Sequence, residues 1–149
     1  VLKMREAEGA RLKADILEKA GEVIALVDQV EQVTPETVEA YRERLRAKIE
    51  ELLQDNRFDE QRVLTEVAIF ADKVAVDEET VRLRSHLSQL EDMLEQGGAV
   101  GRKLDFLIQE FNREANTIGS KCSDVALSRV VVELKGEIEK IREQVQNIE

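Results

Sequence analysis

Tryptophan is absent from this chain, and tyrosine, proline, cysteine and histidine occur once each. With four phenylalanines the aromatic share is 3%, so a core must be built from Leu, Ile, Val and Ala. Seven glycines and one proline are too few for the tight turns of an all-β domain, which points to an all-α fold. Long apolar runs are also missing. Nothing in the chain can cross a hydrocarbon layer of about 30 Å, no secretory leader precedes the first charged residues, and a soluble protein is expected. The lone Cys122 cannot close an internal disulfide, which fits a reducing, cytoplasmic compartment. Positive charge is the minority sign: 22 Lys and Arg stand against 32 Asp and Glu, a formal net charge of −10 over 149 residues. A phosphate backbone is repelled on average, so nucleic-acid binding needs a local patch, a metal ion or a further domain. The start at Val1, with no capping residue ahead of the charged run that follows, suggests a piece of a longer protein.

What the chain does have is amphipathic helix. Leu12, Ile16, Ala20, Val23, Val27 and Val30 recur at three- and four-residue steps, one stripe of a long first helix. Thr34-Pro35-Glu36 offers an N-cap, a proline at the first helical position and an acid in the first turn, predicting a second helix with Val38, Tyr41, Leu45, Ile49 and Leu52. So short a link predicts that residues 1–55 fold as a long antiparallel hairpin, with Arg42-Glu43-Arg44 on a solvated face. After a break at Asp55-Asn56-Arg57, Val63, Val67, Phe70 and Val74 predict a third helix. Asp77 is placed to cap a fourth, which carries Val81, Leu83, Leu87, Leu90 and Leu94 and ends at Gly97-Gly98. A fifth helix, with Leu104, Leu107, Ile108, Phe111, Ala115 and Ile118, is expected to stop at Gly119-Ser120. A sixth repeats Leu127, Val131, Leu134, Ile138, Ile141, Val145 and Ile148 as a near-heptad that needs a partner surface. Gly136 within it costs about 1 kcal/mol against Ala and is expected to allow a close helix approach. Residues 56–149 then form a helical core.

Residues 101–121, GRKLDFLIQEFNREANTIGSK, concentrate amides that make poor helix filler. Between positions 97 and 122, four basic residues (Arg102, Lys103, Arg113, Lys121) face three acidic ones (Asp105, Glu110, Glu114), a local sum of +1 against −11 for the remainder. This is the one region suited to meeting a phosphodiester. At about 100° per residue Asp105, Gln109, Asn112 and Asn116 share a stripe opposite the apolar arc, whereas Glu110 and Glu114 lie one turn apart at its edge and can approach a neighbouring helix. Upstream, Glu79, Arg82 and His86 share a face beside Leu83 and Leu87, a boundary where a carboxylate is partly desolvated and a histidine is tuned by its neighbour. If the two helices pack together, Glu79, His86, Glu110 and Glu114 form a ligand set for Mn²⁺ or Mg²⁺. Such an ion polarises a phosphoryl oxygen and activates water, with Arg82 or Arg113 neutralising charge in the transition state. Asp105 would orient a neighbour, and Lys103 and Lys121 would contact the backbone. The ordinary alternative is that Glu110, Arg113 and Glu114 are surface charges paired along one helix and His86 is a packing residue. Phosphate-loop, dinucleotide, zinc-finger and zincin motifs are all missing, and Cys122 has no second histidine as its base.

On these stretches the chain resembles the YicC/YloC family of bacterial proteins. The residues that carry the likeness are Asn56-Arg57, Ala71-Asp72-Lys73, Glu78-Glu79 with Arg82-Leu83 and Ser85-His86, the block 101–121, the terminal REQVQNIE over 142–149, and Arg5-Glu6-Ala7-Glu8-Gly9. The likeness runs over the whole chain but over only the C-terminal part of a family member. It implies a cytoplasmic, metal-dependent endoribonuclease acting on single-stranded RNA and assembled as a ring-like homo-oligomer, a hexamer, with no DNA or membrane partner. Carried over by position, Glu78, Glu79, Arg82, His86, Asp105, Gln109, Glu110, Asn112, Arg113, Glu114, Asn116 and Lys121 stand where the family pattern has them, with Gln109, Asn112 and Asn116 assigned to RNA. Many relatives have Asp where this chain has Ala75, with Asp77 two places on. Without the family's N-terminal domain, the chain alone is expected to cut RNA weakly or not at all. A different class of function stays open: a non-catalytic helical scaffold or regulatory adaptor, whose hairpin and terminal helix bind partner helices and whose Arg113 and Glu114 pair across subunits.

Overall fold

The computed structural model describes residues 2–33, 35–55, 59–97, 101–122 and 124–148, with side chains from Glu8 to Asn147. The chain is all-α: α1 (Leu2–Val33), α2 (Val38–Gln54), α3 (Glu60–Gln96), α4 (Gly101–Lys121) and α5 (Val125–Ile148), with no strand among the described residues. Helices α1, α3, α4 and α5 close a ring, α1 packing on α5 and α3, and α4 on α3 and α5. Neighbours run antiparallel. Asp15 in the first half of α1 is bonded to Gln144 near the end of α5, and His86 and Asp72 of α3 meet Glu114 and Lys121 of α4. The result is an antiparallel four-helix bundle.

One continuous core fills it. It takes Ile16, Ala20, Val23, Val27 and Val30 from α1; Leu83, Leu87, Leu90 and Leu94 from α3; Leu104, Leu107, Ile108, Phe111, Ala115 and Ile118 from α4; and Leu127, Val131, Leu134, Ile138, Ile141 and Val145 from α5. The near-heptad of α5 thus finds its partner surface within the chain, on α1 and α4.

The hairpin expected from residues 1–55 needs correcting. Among the described residues α2 packs on α3 and not on α1, whose apolar stripe is covered by α5 and α3. Lys48 pairs with Glu66 at 2.7 Å and the Tyr41 ring lies 5.3 Å from that of Phe70, so α2 runs antiparallel to the N-terminal half of α3 as a two-helix arm. Periodicity says which face of a helix is apolar and leaves open which neighbour covers it. The expected third and fourth helices are also one helix of 37 residues. Neither Gly nor Pro interrupts residues 60–96, and Asp77 does not cap but accepts from Lys73 at 3.0 Å, one turn back in mid-helix. Val67 and Val81 are exposed rather than in the core.

The helix ends are set by local chemistry. Thr34, Asn56, Arg57 and Gly98 fall outside the described residues, as does the Ile148 side chain. Helix α2 begins at Val38, with Thr37 Oγ1 accepting the Ala40 N–H at 3.1 Å, so Pro35 and Glu36 belong to the link. Asp59 caps α3 by accepting from the Gln61 N–H at 3.0 Å, and Gly97 closes it at φ 70°, a conformation that favours glycine. Gly119 does not stop its helix, which continues to Lys121. It marks a close approach instead: a Cβ there would lie 3.1 Å from Val131 Cγ1. Gly136 has open space around it, so the close approach expected there is absent.

Candidate metal centre

The site forms where the C-terminal half of α3 lies antiparallel on α4. The three- and four-residue spacing of Glu79, Arg82 and His86 keeps them on the edge of the Leu83–Leu87–Leu90 stripe, and Glu110, Arg113 and Glu114 occupy the facing edge of α4. Because each carboxylate flanks a core stripe, packing the helices carries it inward: Glu114 is fully buried and Glu79 6% exposed. A carboxylate at that depth needs partners. Both oxygens of Glu114 lie against His86 Nδ1, at 2.7 and 2.9 Å. Nδ1 is thus the ring nitrogen that faces the carboxylate, and an ion held by both residues would take the place of the proton between them.

Three groups converge. One ligating atom from each of His86, Glu110 and Glu114 lies within 4.8 Å of the other two. Burial pushes the Glu114 carboxyl up from its ordinary value, opposed by the hydrogen bond from His86 and by the charge of Arg113. One imidazole nitrogen with two carboxylates, partly open to solvent, suits Mn²⁺, and the two carboxylates suit Mg²⁺, which keeps several waters. The buried Glu79 Oε2 beside them has no hydrogen-bond partner, a second sign of a site built for more than the protein's own groups. The residues present therefore fit a divalent cation.

Two half-exposed arginines stand at its mouth. Arg82 donates to Glu79 Oε1 at 3.1 Å; Arg113 donates to Glu110 Oε2 at 3.2 and 3.1 Å and lies 3.7 Å from Glu79 Oε1. The hydrogen bond to Glu110 raises the pKa of Arg113, keeping the guanidinium charged. Glu79, expected as a ligand, thus spends one oxygen holding both arginines, and the converging triad does not include it. Pairing of Arg113 with Glu110 along α4 is present as well, so the surface-charge alternative describes that pair but not the buried His86–Glu114 contact.

The remaining expected residues divide. Lys103 is exposed, and Lys121 forms a 3.8 Å ion pair with Asp72 of α3. Asp105, Gln109, Asn112 and Asn116 fall roughly 100° or more round α4 from Glu110 and Glu114, so the structure does not bring them to the triad, and Asp105 has no neighbour there to orient. Ala75 lies one turn before Glu79 on the cleft edge. Asp77 points to the other side of α3, toward Lys73, and does not take the place of an acid at position 75. Sequence reasoning missed the arginine-holding role of Glu79 and the exposed Phe106, one turn from Glu110. An aromatic on the polar face of α4, far from the apolar arc, was the available signal for Phe106.

The fold and site together define a helical-bundle protein with a carboxylate–imidazole centre between two antiparallel helices. Residues 30–149 match the family model described as endoribonuclease YicC-like, C-terminal, and the chain belongs to that family. Among curated relatives, "Probable endoribonuclease YicC" of Clostridioides difficile (strain 630) is 49% identical over 147 residues, covering 98% of this chain and 50% of the relative. The protein of the same description from Haemophilus influenzae (strain ATCC 51907 / DSM 11121 / KW20 / Rd) is 40% identical over 146 residues, with the same coverage of 98% and 50%. The chain spans about half the length of these relatives.

Proposed function

We propose that this chain is the metal-binding part of an endoribonuclease that hydrolyses single-stranded RNA. The observation that carries this is the convergence of His86, Glu110 and Glu114 beneath two arginines, in a chain otherwise strongly acidic. Mn²⁺ or Mg²⁺ held by these three residues would supply Lewis-acid polarisation of a phosphoryl oxygen and a water of lowered pKa. Arg82 and Arg113 hold the phosphate and neutralise the charge that develops on it. Glu79 keeps both guanidinium groups over the cleft. Lys103 and Lys121 attract the backbone from either end of the α4 edge.

Two wider expectations join this proposal. The exposed Leu53, Leu64, Val67 and Ile69 on the α2–α3 arm support association of copies into a homo-oligomer, with the hexamer as the arrangement to test. The unpaired Cys122 fits a cytoplasmic location, and among the described residues no helix is long and apolar enough to cross a membrane.

The test is cleavage of single-stranded RNA by the intact protein with Mn²⁺ or Mg²⁺, with and without chelator. Glu110→Gln and His86→Ala are expected to lower the rate on the order of 100-fold or more. Equal cleavage by both variants and wild type would remove the site. No cleavage by folded, metal-loaded wild type would favour the scaffold or adaptor instead. The chain alone is expected to cut weakly or not at all.

A further inference from the structure

Phe106 is 59% exposed, on the solvent side of a helix whose other phenylalanine, Phe111, is fully buried. The other described aromatics, Tyr41 and Phe70, face each other on the arm. Isolated exposed apolar residues are ordinary on protein surfaces; the stripe that Phe106 belongs to is not. Lys103, Phe106, Glu110, Arg113, Thr117 and Lys121 follow one another at three- and four-residue steps along the cleft-facing edge of α4, so a cation, an aromatic, a metal-site carboxylate, a second cation, a hydroxyl and a third cation lie in one row. The row crosses residues 97–122, whose local charge is +1 in a chain of −10, and its middle holds Glu110 of the triad. Single-strand binding sites combine these same elements: cations that track the backbone and an aromatic face on which a base stacks.

We infer that Phe106 is the base-stacking residue of this row, a binding contact that sets the register of a single-stranded RNA over the metal centre. The inference rests on the endoribonuclease proposal above and extends it to a residue that proposal does not use. Phe106 lies about 6 Å along α4 from Glu110, a distance one nucleotide of a stretched strand spans. A phosphate held by Arg82 and Arg113 therefore leaves the base of a neighbouring nucleotide over the Phe106 ring. Stacking accepts any base, so Phe106 fixes where the strand sits rather than which sequence is cut.

The experiment uses the intact protein in chelator, which prevents cutting, with a fluorescently labelled single-stranded oligoribonucleotide and a set of copies each carrying one abasic position. Phe106→Leu, which keeps the bulk and loses the ring face, is expected to weaken binding between about fivefold and 100-fold, while Phe106→Tyr stays within about twofold of wild type. One abasic position is expected to cost wild type as much as Phe106→Leu does and to cost the Leu variant nothing further, because both remove the same stack. Mn²⁺ binding by the Leu variant at wild-type stoichiometry verifies its fold. With Mn²⁺ restored, its cleavage sites are expected to spread over neighbouring positions. Wild-type affinity in Phe106→Leu, or an abasic penalty that the Leu variant keeps, overturns the inference while wild-type cutting leaves the endoribonuclease proposal standing. A change in oligomeric mass in Phe106→Leu, seen by light scattering, would assign the ring to a protein interface and also overturn it. Wild type that neither binds nor cuts the RNA overturns the endoribonuclease proposal itself.

Discussion

Helix α3 lives in two environments. Its C-terminal half lies in a ring of four helices and buries Leu83, Leu87, Leu90 and Leu94 to 5% exposure or less; its first turns run beside α2 as the arm and leave Leu64 54% and Ile69 48% exposed. The N-terminal half is the richer of the two in apolar residues, so the difference comes from the number of neighbours and not from composition. Enclosure also makes the chemistry: a carboxylate at the edge of the enclosed half is driven into the protein, as Glu79 and Glu114 are, whereas on the arm Glu66 keeps an ordinary ion pair with Lys48. There the hydrogen bond from Lys48 pulls the Glu66 carboxyl down, the reverse of what burial does to Glu114.

The sharpest way to break this comparison is by truncation. Leu83→Ala is expected to destabilise the protein by about 2–5 kcal/mol, and Leu64→Ala on the arm by less than about 0.5 kcal/mol, read from chemical denaturation of the intact protein. Equal losses would mean that the arm is as enclosed as the bundle.

A smaller effect separates the carboxylates by pH. The folded state holds the Glu114 proton more tightly than an ordinary glutamate, so its ionisation costs stability as pH rises through the window that opens at 4.5. Glu114→Gln removes that cost. In chelator, the melting temperature of the Gln variant relative to wild type is therefore expected to climb with pH across that window, and Mn²⁺ is expected to reverse the order. A pH-independent difference would show that burial does not burden Glu114. A gain is expected at Gly136, in open space on α5: Gly136→Ala should stabilise by about 1 kcal/mol, read from the same denaturation.

Much of this was legible in the residues themselves. The stripes of α1, α4 and α5 read directly because each is covered on a single broad face, and His86 could be paired with Glu110 and Glu114 because all three flank core positions. Three things were not legible. Asp77 reads as a cap because an acid before an apolar run suits a helix start equally well in isolation, and only the unbroken path of α3 shows otherwise. The partner of α2 follows from which helix covers α1, a contact far apart in sequence. Glu79 and Glu114 look alike by spacing, yet one holds arginines and the other a histidine, which depends on the angle at which α3 and α4 meet.

The most direct test is titration of the metal-free intact protein with Mn²⁺, followed by calorimetry and by the electron spin resonance of the free ion. One ion bound per chain is expected, and it should be lost in Glu110→Gln and in the double variant His86→Ala with Glu114→Gln. Undiminished stoichiometric binding in those variants, or none in wild type, would contradict a metal centre between α3 and α4.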